Sequence, residues 1–146
     1  MPPKVQLDIY GQGDEQEGIQ QQIDTHKLNI RLLGVRNDLE KVLPGYDAFV
    51  MSSFYEGQPL SLLEASACGL PALLSDIAVL REVMGDDAIY FDIKKPESLV
   101  EKVKEILAGK HDLLRLSING MQKVNSFALK QDYLERLSAI YNLYLN

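Results

Sequence analysis

Two acidic residues, Glu56 and Glu64, flank the start of a short predicted helix and could together bind a phosphorylated ligand. Pro59 suits the first turn of a helix, and Gly69 suits the left-handed position just beyond a helix end. The helix between them would have about ten residues and a length of roughly 15 Å. Helix N-termini favour phosphate, and carboxylates accept hydrogen bonds from hydroxyl groups. A ligand that carries a phosphate and a diol would match both features.

The predicted helix should pack on a sheet through Leu60, Leu63 and Ala67, which recur at helical spacing. Glu64 falls at the edge of that face, so its carboxylate is expected to be half-buried and to need a hydrogen-bond partner. Glu56 precedes the helix, in the turn whose backbone N–H groups point outward. The pattern therefore predicts an acid, a free helix N-terminus and a second acid further along.

The segment from Glu56 to Pro71 reads EGQPLSLLEASACGLP and places seven residues between its two glutamates. It resembles the Glu-x7-Glu signature of retaining, nucleotide-sugar-dependent glycosyltransferases, the glycosyl transferases group 1. These enzymes have two Rossmann-like lobes, called the GT-B fold, and the match is to the C-terminal, donor-binding lobe. The two acids alone would be weak evidence, and the resemblance rests on further residues in register: Gly57, Leu60, Ala65, Ala67, Gly69, Pro71 and Asp76.

The resemblance implies a role for each acid. Glu64 would hold the ribose hydroxyls of the nucleotide, through charged hydrogen bonds of a kind that contributes about 1.5–3 kcal/mol. Glu56 would be the catalytic residue. It would lie near the donor sugar and steady its hydroxyls or the positive charge of an oxocarbenium-like transition state. Without the resemblance, Glu64 reads as an exposed helix residue and Glu56 as a turn residue.

The resemblance also implies that the turn before the helix binds the donor. Backbone N–H groups at Gly57, Gln58 and Leu60 would bind the diphosphate or the sugar, and Pro59 shares this turn without offering an N–H. Many family members carry an aromatic residue and a glycine where Gln58 and Pro59 stand. This departure leaves the donor sugar unidentified.

Two loops nearer the N-terminus complete the implied donor site. Gly11 and Gly13 follow a predicted strand and precede a helix, which suits a phosphate or sugar approach point, although an ordinary turn explains them as well. In the resembled family this loop faces the nucleotide cleft. Val35 and Arg36 follow the second strand and would flank the nucleobase, whereas Arg36 also reads as a solvated loop charge.

Strands and helices alternate along the chain, which predicts an α/β fold with a parallel sheet. The resemblance specifies a Rossmann-like parallel sheet flanked by helices, as in the C-terminal lobe of a GT-B fold that lacks its first βα unit. Because ligands bind beyond the carboxyl ends of parallel strands, the loops after the strands should gather at one rim. Strands are predicted at 5–10, 30–33, 48–51, 71–74 and 88–91, and the longer helices at 14–26, 96–108, 111–124 and 129–145.

Mapped onto the family, residues 1–146 form a single nucleotide-sugar-binding domain, interpreted as a fragment of a two-lobed enzyme. The N-terminal lobe and the first βα unit, which supplies an Arg and a Lys to the diphosphate in the family, have no counterpart. The helix at 129–145 is expected to cross onto that lobe, although core packing also explains its aromatic stripe. The isolated chain should bind donor weakly, transfer nothing and self-associate through strand edges left unpaired.

Composition argues against several other classes of protein. A formal net charge of −6 disfavours a nucleic-acid-binding surface. The single cysteine, Cys68, excludes an internal disulfide, permits a reducing compartment, and is expected to be a small core residue. His26 and His111 stand on polar helices without an acid or cysteine at metal-ligand spacing, so both should be solvated and no metal site is predicted.

The sequence contains no apolar run long enough to span a bilayer. This pattern predicts a cytoplasmic protein, with the inner face of the membrane as a second location for the full-length enzyme. The resemblance implies transfer of a hexose from a nucleoside-diphosphate sugar to a glycan or lipid-linked acceptor, with retention, without a cofactor, in polysaccharide biosynthesis. Two alternatives stay open: a sugar-nucleotide epimerase of the same architecture, and a non-catalytic nucleotide-binding module.

Overall fold

The strands and helices alternate as predicted in a computed structural model, which describes residues 5–127. The chain divides into two units, with the division between Lys41 and Val42. Each unit contains its own parallel sheet, so the α/β prediction is confirmed while the strands form two sheets rather than one. The helix predicted at 129–145 lies outside the described residues.

The first unit is built on a pair of parallel strands, with Leu7 opposite Ile30. Asp8 and Arg31 are also opposite one another, and their side chains form two hydrogen bonds of 2.8 and 2.5 Å. Ile23 is buried on the intervening helix, whose other side chains are exposed. The elements are β1 (Leu7–Tyr10), α1 (Gln16–His26), β2 (Ile30–Gly34) and, at the boundary, α2 (Leu39–Val42).

The second unit is a three-stranded parallel sheet covered by helices. Its elements are β3 (Phe49–Met51), α3 (Leu60–Ala67), β4 (Ala72–Ser75), α4 (Ala78–Met84), β5 (Ile89–Phe91), α5 (Pro96–Leu107) and α6 (Leu113–Phe127). The strand order is β3-β4-β5, so β4 is central, and all four of its residues are buried. A short apolar run buried on both faces is typical of a central parallel strand.

Adjacent residues of β4 pack into separate cores, because successive side chains of a strand point to opposite faces. Leu74 packs with Leu62 of α3 and Leu80 of α4. Leu73 packs with Leu116 of α6 and with the apolar stripe of α5 on the opposite face. The α5 stripe consists of Leu99, Val103 and Ile106, which recur at helical spacing.

Most element boundaries fall within two or three residues of the predicted positions. β1 begins at Leu7 rather than at residue 5, because Leu7 is the first residue that pairs with β2. α1 begins at Gln16, compared with a predicted start at residue 14, and no side chain caps it. α6 runs from Leu113 to Phe127, compared with a predicted 111–124.

A polar cluster around Asp87 attaches α6 to the turn before β5. Lys123 donates to Asp87 Oδ2 at 2.9 Å and to the Met84 carbonyl oxygen at 2.7 Å. Asn119 donates to Asp87 Oδ1 at 2.8 Å. The Asp87 side chain is only 18% exposed, so these bonds are shielded from solvent. The hydrogen bond from Lys123 lowers the pKa of Asp87 below its usual value of 3.8.

Asp87→Ala is expected to lower the free energy of unfolding at neutral pH by about 1–3 kcal/mol, because Lys123 and Asn119 lose their acceptor. Since the folded-state pKa is depressed, this contribution is complete above pH 3.8 and is lost as the pH falls through the folded-state value. Urea unfolding near neutral pH and near pH 3 would measure it. The stability difference between wild type and variant should shrink in acid, and a constant difference would contradict the assignment.

Asp38→Ala is the matched control for that experiment. Asp38 also bonds to a basic side chain, Arg36, and that bond lowers the pKa of Asp38, but both side chains are exposed. Exposed ion pairs contribute little to stability. The control variant should therefore unfold at nearly the wild-type urea concentration at both pH values.

Candidate functional site

Two serines connect Glu56 to the central strand of the second unit. Ser75, the last residue of β4, is fully buried, and its hydroxyl donates to the Ser53 carbonyl oxygen at 2.6 Å. The Ser53 hydroxyl in turn donates to Glu56 Oε1 at 2.6 Å. Glu56 therefore lies at the carboxyl end of the sheet, where parallel sheets bind their ligands.

Sequence reasoning missed both serines. The available signal was a polar residue, Ser75, at the end of the otherwise apolar strand Ala72–Ser75. A buried hydroxyl needs a hydrogen-bond partner, so its presence in a central strand indicates a specific acceptor nearby. That acceptor is a backbone carbonyl of the loop that carries Glu56.

The side chains around Glu56 are unevenly exposed. Glu56 itself is half-buried, and in the described part of the chain only its Oε1 atom has a hydrogen-bond donor. Phe54 and Tyr55, which lie between Ser53 and Glu56, are 64% and 93% exposed. The carboxylate is thus fixed through one oxygen, and the second oxygen is available to a ligand.

The turn before α3 differs in detail from the predicted one. Pro59 is buried and is the N-cap residue, so α3 begins at Leu60. The Leu60 N–H donates to the Gln58 carbonyl oxygen at 2.9 Å, and is therefore engaged within the turn. Gly57 and Gln58 are exposed. No side chain caps the start of α3, which leaves helix N–H groups without side-chain acceptors.

The predicted packing face of α3 is wrong. Leu60 is 57% exposed and Ala67 is exposed, whereas the buried residues are Leu62, Ala65 and Ser66. Both sets recur at helical spacing, so periodicity could not choose between them. Tertiary contacts make the choice: Leu62 packs with Leu74 and Leu80, and a Cβ atom at Gly120 of α6 would lie in ordinary van der Waals contact with the Ser66 side chain, at 3.9 Å.

Because α3 buries a different face from the predicted one, the environment of Glu64 also differs from the prediction. Its side chain is exposed rather than half-buried, and its carboxylate has no hydrogen-bond or ion-pair partner among residues 5–127. The expected internal partner is therefore absent from this range. An exposed carboxylate on the helix that follows Glu56 can accept hydrogen bonds from the hydroxyl groups of a ligand.

The far end of α3 is fixed by the glycine that the sequence indicated. Gly69 has a φ of +81°, which confirms the predicted left-handed position. Its carbonyl oxygen accepts a hydrogen bond of 2.5 Å from Ser117 of α6. Cys68, beside it, is half-buried, in an intermediate environment rather than in the core.

Asp76, which follows β4, is engaged in a second interaction at this rim. Arg81 donates to both of its carboxylate oxygens, at 2.5 and 2.8 Å, and this hydrogen bonding lowers the pKa of Asp76. The Arg81 guanidinium also lies 4.0 Å from the centre of the Tyr90 ring. Burial raises the pKa of Tyr90 to about 12, so its hydroxyl stays protonated and donates to the Gly85 carbonyl oxygen.

The first unit brings its two predicted loops together at one rim. The Gly11 N–H donates to the Gly34 carbonyl oxygen at 2.8 Å, and both glycines have a positive φ, of +131° and +68°. Gly13 is exposed, with open space where a Cβ would lie. Val35 is 61% exposed, and Arg36 forms a bidentate pair with Asp38 at 2.8 and 2.9 Å.

The two histidines differ in their surroundings. His26 is exposed as expected, whereas the expectation that His111 is solvated is wrong. His111 Nε2 lies 3.0 Å from Glu105 Oε2, which also accepts a 2.9 Å bond from Lys102. The bonds from Lys102 and His111 lower the pKa of Glu105. The contact joins α5 to the segment before α6. Glu105 and His111 are six residues apart in sequence, so a search for residues at metal-ligand spacing did not pair them.

Two further observations concern the described range, residues 5–127. No three His, Cys, Asp or Glu side chains there gather closely enough to hold a metal ion. In the same range, no helix combines the length and the apolar character that crossing a bilayer requires.

A family model decides the classification. The model of glycosyl transferases group 1 matches residues 1–123. The chain belongs to this family. The matched residues include Glu56 and Glu64, and the family is the one that the segment from Glu56 to Pro71 resembles.

Curated relatives in this family match part of the chain. An N,N'-diacetylbacillosaminyl-diphospho-undecaprenol alpha-1,3-N-acetylgalactosaminyltransferase from Campylobacter jejuni is 34% identical over 95 residues, which cover 64% of this chain and 25% of that enzyme. A UDP-Gal:alpha-D-GlcNAc-diphosphoundecaprenol alpha-1,3-galactosyltransferase from Escherichia coli is 47% identical over 51 residues, which cover 35% and 13%. The matched region thus spans a quarter or less of either enzyme.

Solved structures show the same fold. TarM matches with a TM-score of 0.82 at 20% identity, over 94% of this chain and 29% of TarM. Sucrose-phosphate synthase from Thermosynechococcus elongatus matches with a TM-score of 0.83 at 20% identity, over 96% of this chain and 38% of that protein. The group 1 assignment and the GT-B type of α/β fold therefore agree.

Proposed function

We propose that this chain binds the nucleotide-sugar donor of a retaining glycosyltransferase. The whole protein would transfer the sugar to a glycan or lipid-linked acceptor. The observation that carries the proposal is the contrast between the two acids. Glu56 is held by hydrogen bonds at the carboxyl end of the sheet, while Glu64 is exposed and unpartnered in the described part of the chain.

The arrangement suits the parts of a nucleoside-diphosphate sugar. The uncapped start of α3 favours the diphosphate, because helix N-termini attract anions. Glu64, further along α3, would accept hydrogen bonds from the ribose hydroxyls. Glu56, before the helix, would face the sugar. In the first unit, taken by itself, Gly11, Gly13, Val35 and Arg36 are proposed as donor-binding residues.

In the transfer step, a bond forms between an acceptor hydroxyl oxygen and the anomeric carbon of the donor. The bond from that carbon to the diphosphate breaks, the diphosphate leaves with the bonding electrons, and the proton of the acceptor hydroxyl passes to the departing diphosphate oxygen. Positive charge develops on the sugar ring during this exchange. A fixed carboxylate at Glu56 would stabilise that charge more in the transition state than in the ground state, which is the condition for catalysis.

Proteins similar to this chain support the choice of ligand class. The E. coli relative is named for UDP-Gal and a diphosphoundecaprenol-linked acceptor. HepE from Anabaena, similar with a TM-score of 0.81, was solved in complex with UDP and with UDP-glucose. These similarities make a uridine nucleotide and a lipid-linked acceptor the first ligands to test.

Glu64→Ala is expected to weaken nucleotide binding about tenfold or more, because the variant loses a charged hydrogen-bond acceptor for the ribose. Calorimetric titration with UDP, GDP and ADP would measure the affinity, in the complete polypeptide that carries this chain and in residues 1–146 alone. Glu101→Ala is the matched control, since Glu101 is also an exposed helix glutamate. It should bind as wild type does.

The outcomes separate the candidate functions. Equal losses in Glu64→Ala and Glu101→Ala would contradict the proposed ribose contact. Tight nucleotide binding by residues 1–146 alone, with no sugar transfer by the complete polypeptide, would instead favour the non-catalytic binding module. Transfer activity together with the selective loss in Glu64→Ala supports the glycosyltransferase.

A further inference from the structure

We propose that Ser53 and Ser75 are positioning residues for the transfer reaction. The Ser75 hydroxyl donates to the Ser53 carbonyl oxygen, and the Ser53 hydroxyl donates to Glu56 Oε1. These two hydrogen bonds, called the relay below, connect the central strand β4 to the Glu56 carboxylate. The inference rests on the proposed function, because the serines act only through Glu56. It goes beyond that function by assigning catalytic consequences to two residues that do not touch the substrate.

The first step of the relay is the buried anchor. Ser75 is inaccessible to solvent and ends a strand whose other residues are apolar. A hydroxyl group in such a place costs stability unless it forms a hydrogen bond. Its acceptor, the Ser53 carbonyl oxygen, belongs to the loop after the neighbouring strand β3. Ser75 therefore attaches this loop to the centre of the sheet.

The second hydrogen bond of the relay fixes the position of the Glu56 carboxylate. The Ser53 hydroxyl donates to Glu56 Oε1, so one oxygen is held and the other is left for the substrate.

Little else holds the loop in place. Residues 53–57 form no hydrogen bond between backbone groups within the described part of the chain. The two large side chains in this segment, Phe54 and Tyr55, are mostly exposed and provide little packing. The relay is therefore the main constraint on the position of Glu56, and a displacement of about 1 Å at a reacting group can cost a hundredfold in rate.

The kinetic test uses the complete polypeptide that carries this chain, with UDP-, GDP- and ADP-sugars as probes and release of the nucleoside diphosphate as readout. Ser53→Ala and Ser75→Ala should each lower kcat by about tenfold to a hundredfold, with KM for the donor changed by less than about threefold. Ser53→Thr keeps the hydroxyl and should restore most of kcat. A loss in KM alone, or no rescue by threonine, would overturn the proposal.

Ser117→Ala is the matched control. Ser117 also donates its hydroxyl to a backbone carbonyl, that of Gly69, but at the opposite end of α3. The variant loses a bond of the same type, so any general effect of lost stability should appear there too. Equal kcat losses in Ser75→Ala and Ser117→Ala would show that the loss reflects stability rather than position.

The double variant Ser53→Ala with Glu56→Gln distinguishes the positioning role of Ser53 from the catalytic role of Glu56. If Ser53 acts only through the Glu56 charge, adding Ser53→Ala to Glu56→Gln should change kcat by less than about twofold. Independent, multiplying losses would overturn the positioning role. If Glu56→Gln alone retains wild-type kcat, the proposed function of Glu56 fails, whatever the serine variants do.

Backbone amide order parameters from NMR relaxation provide a readout that needs no substrate. In residues 1–146, Ser75→Ala should lower the order parameters at residues 54–58, because the loop loses its hydrogen bond to the central strand. Ser117→Ala should leave them unchanged. Unchanged order parameters in Ser75→Ala would show that Ser75 does not hold the loop and would overturn the proposal.

Discussion

Glu56→Gln is expected to lower kcat for glycosyl transfer by about a hundredfold or more, a typical loss when one preorganised electrostatic group is removed from an active site. The amide has nearly the size and shape of the carboxylate, and its oxygen can still accept the hydrogen bond from Ser53. The substitution therefore removes charge while keeping geometry. Steady-state kinetics of the complete polypeptide, with release of the nucleoside diphosphate as the signal, would measure the loss.

Binding of the bare nucleotide is the internal control for this variant. UDP, GDP and ADP lack the sugar that Glu56 is proposed to face, so their affinities should stay within about twofold of wild type. Glu82→Gln, on the exposed surface of α4, is the control for loss of one negative charge. A wild-type kcat in Glu56→Gln, or a loss that Glu82→Gln shares, would contradict a catalytic role for the Glu56 charge.

The two acids thus have separable expected effects. Glu64→Ala should weaken binding of the nucleotide itself, whereas Glu56→Gln should leave nucleotide binding intact and lower kcat. The difference follows from their surroundings, since Glu64 is exposed on α3 and Glu56 is fixed by the loop after β3. Loss of transition-state stabilisation without loss of ground-state binding distinguishes a catalytic residue from a binding residue.

The features that local chemistry determines could be predicted from the sequence. Five strands and the helices between them follow from apolar patterning and from glycine and proline positions. Gly69 is left-handed as its place after α3 indicated, and the α5 stripe packs as its spacing indicated. The association of Glu56 with the end of a strand also follows from local pattern, because the loop directly follows β3.

The features that depend on tertiary contacts could not be predicted. The buried face of α3 is determined by contacts with β4, α4 and α6, and Gly120 of α6 is more than fifty residues away from Ser66 in sequence. The bond from Ser75 to Ser53 crosses between neighbouring strands, and the contact between His111 and Glu105 depends on how the chain turns after α5. No periodicity in a single sequence encodes such pairings.

Leu62→Ala is expected to lower the free energy of unfolding by about 2–5 kcal/mol, whereas Leu60→Ala on the same helix should change it by less than about 0.5 kcal/mol. Leu62 is completely buried against Leu74 and Leu80, so its truncation leaves a cavity. Leu60 is 57% exposed and loses few contacts. Urea denaturation of both variants, with unchanged m-values as the condition for comparison, would measure the difference.

The chemical change is the same in both variants, and leucine and alanine both favour helices, so helix propensity cannot account for a difference of this size. The pair therefore tests which face of α3 is buried. The face predicted from spacing alone, Leu60 with Leu63 and Ala67, requires the larger loss in Leu60→Ala. The structure requires the larger loss in Leu62→Ala. Equal losses would contradict the orientation of α3 in which Leu62 is buried and Glu64 is exposed to a ligand.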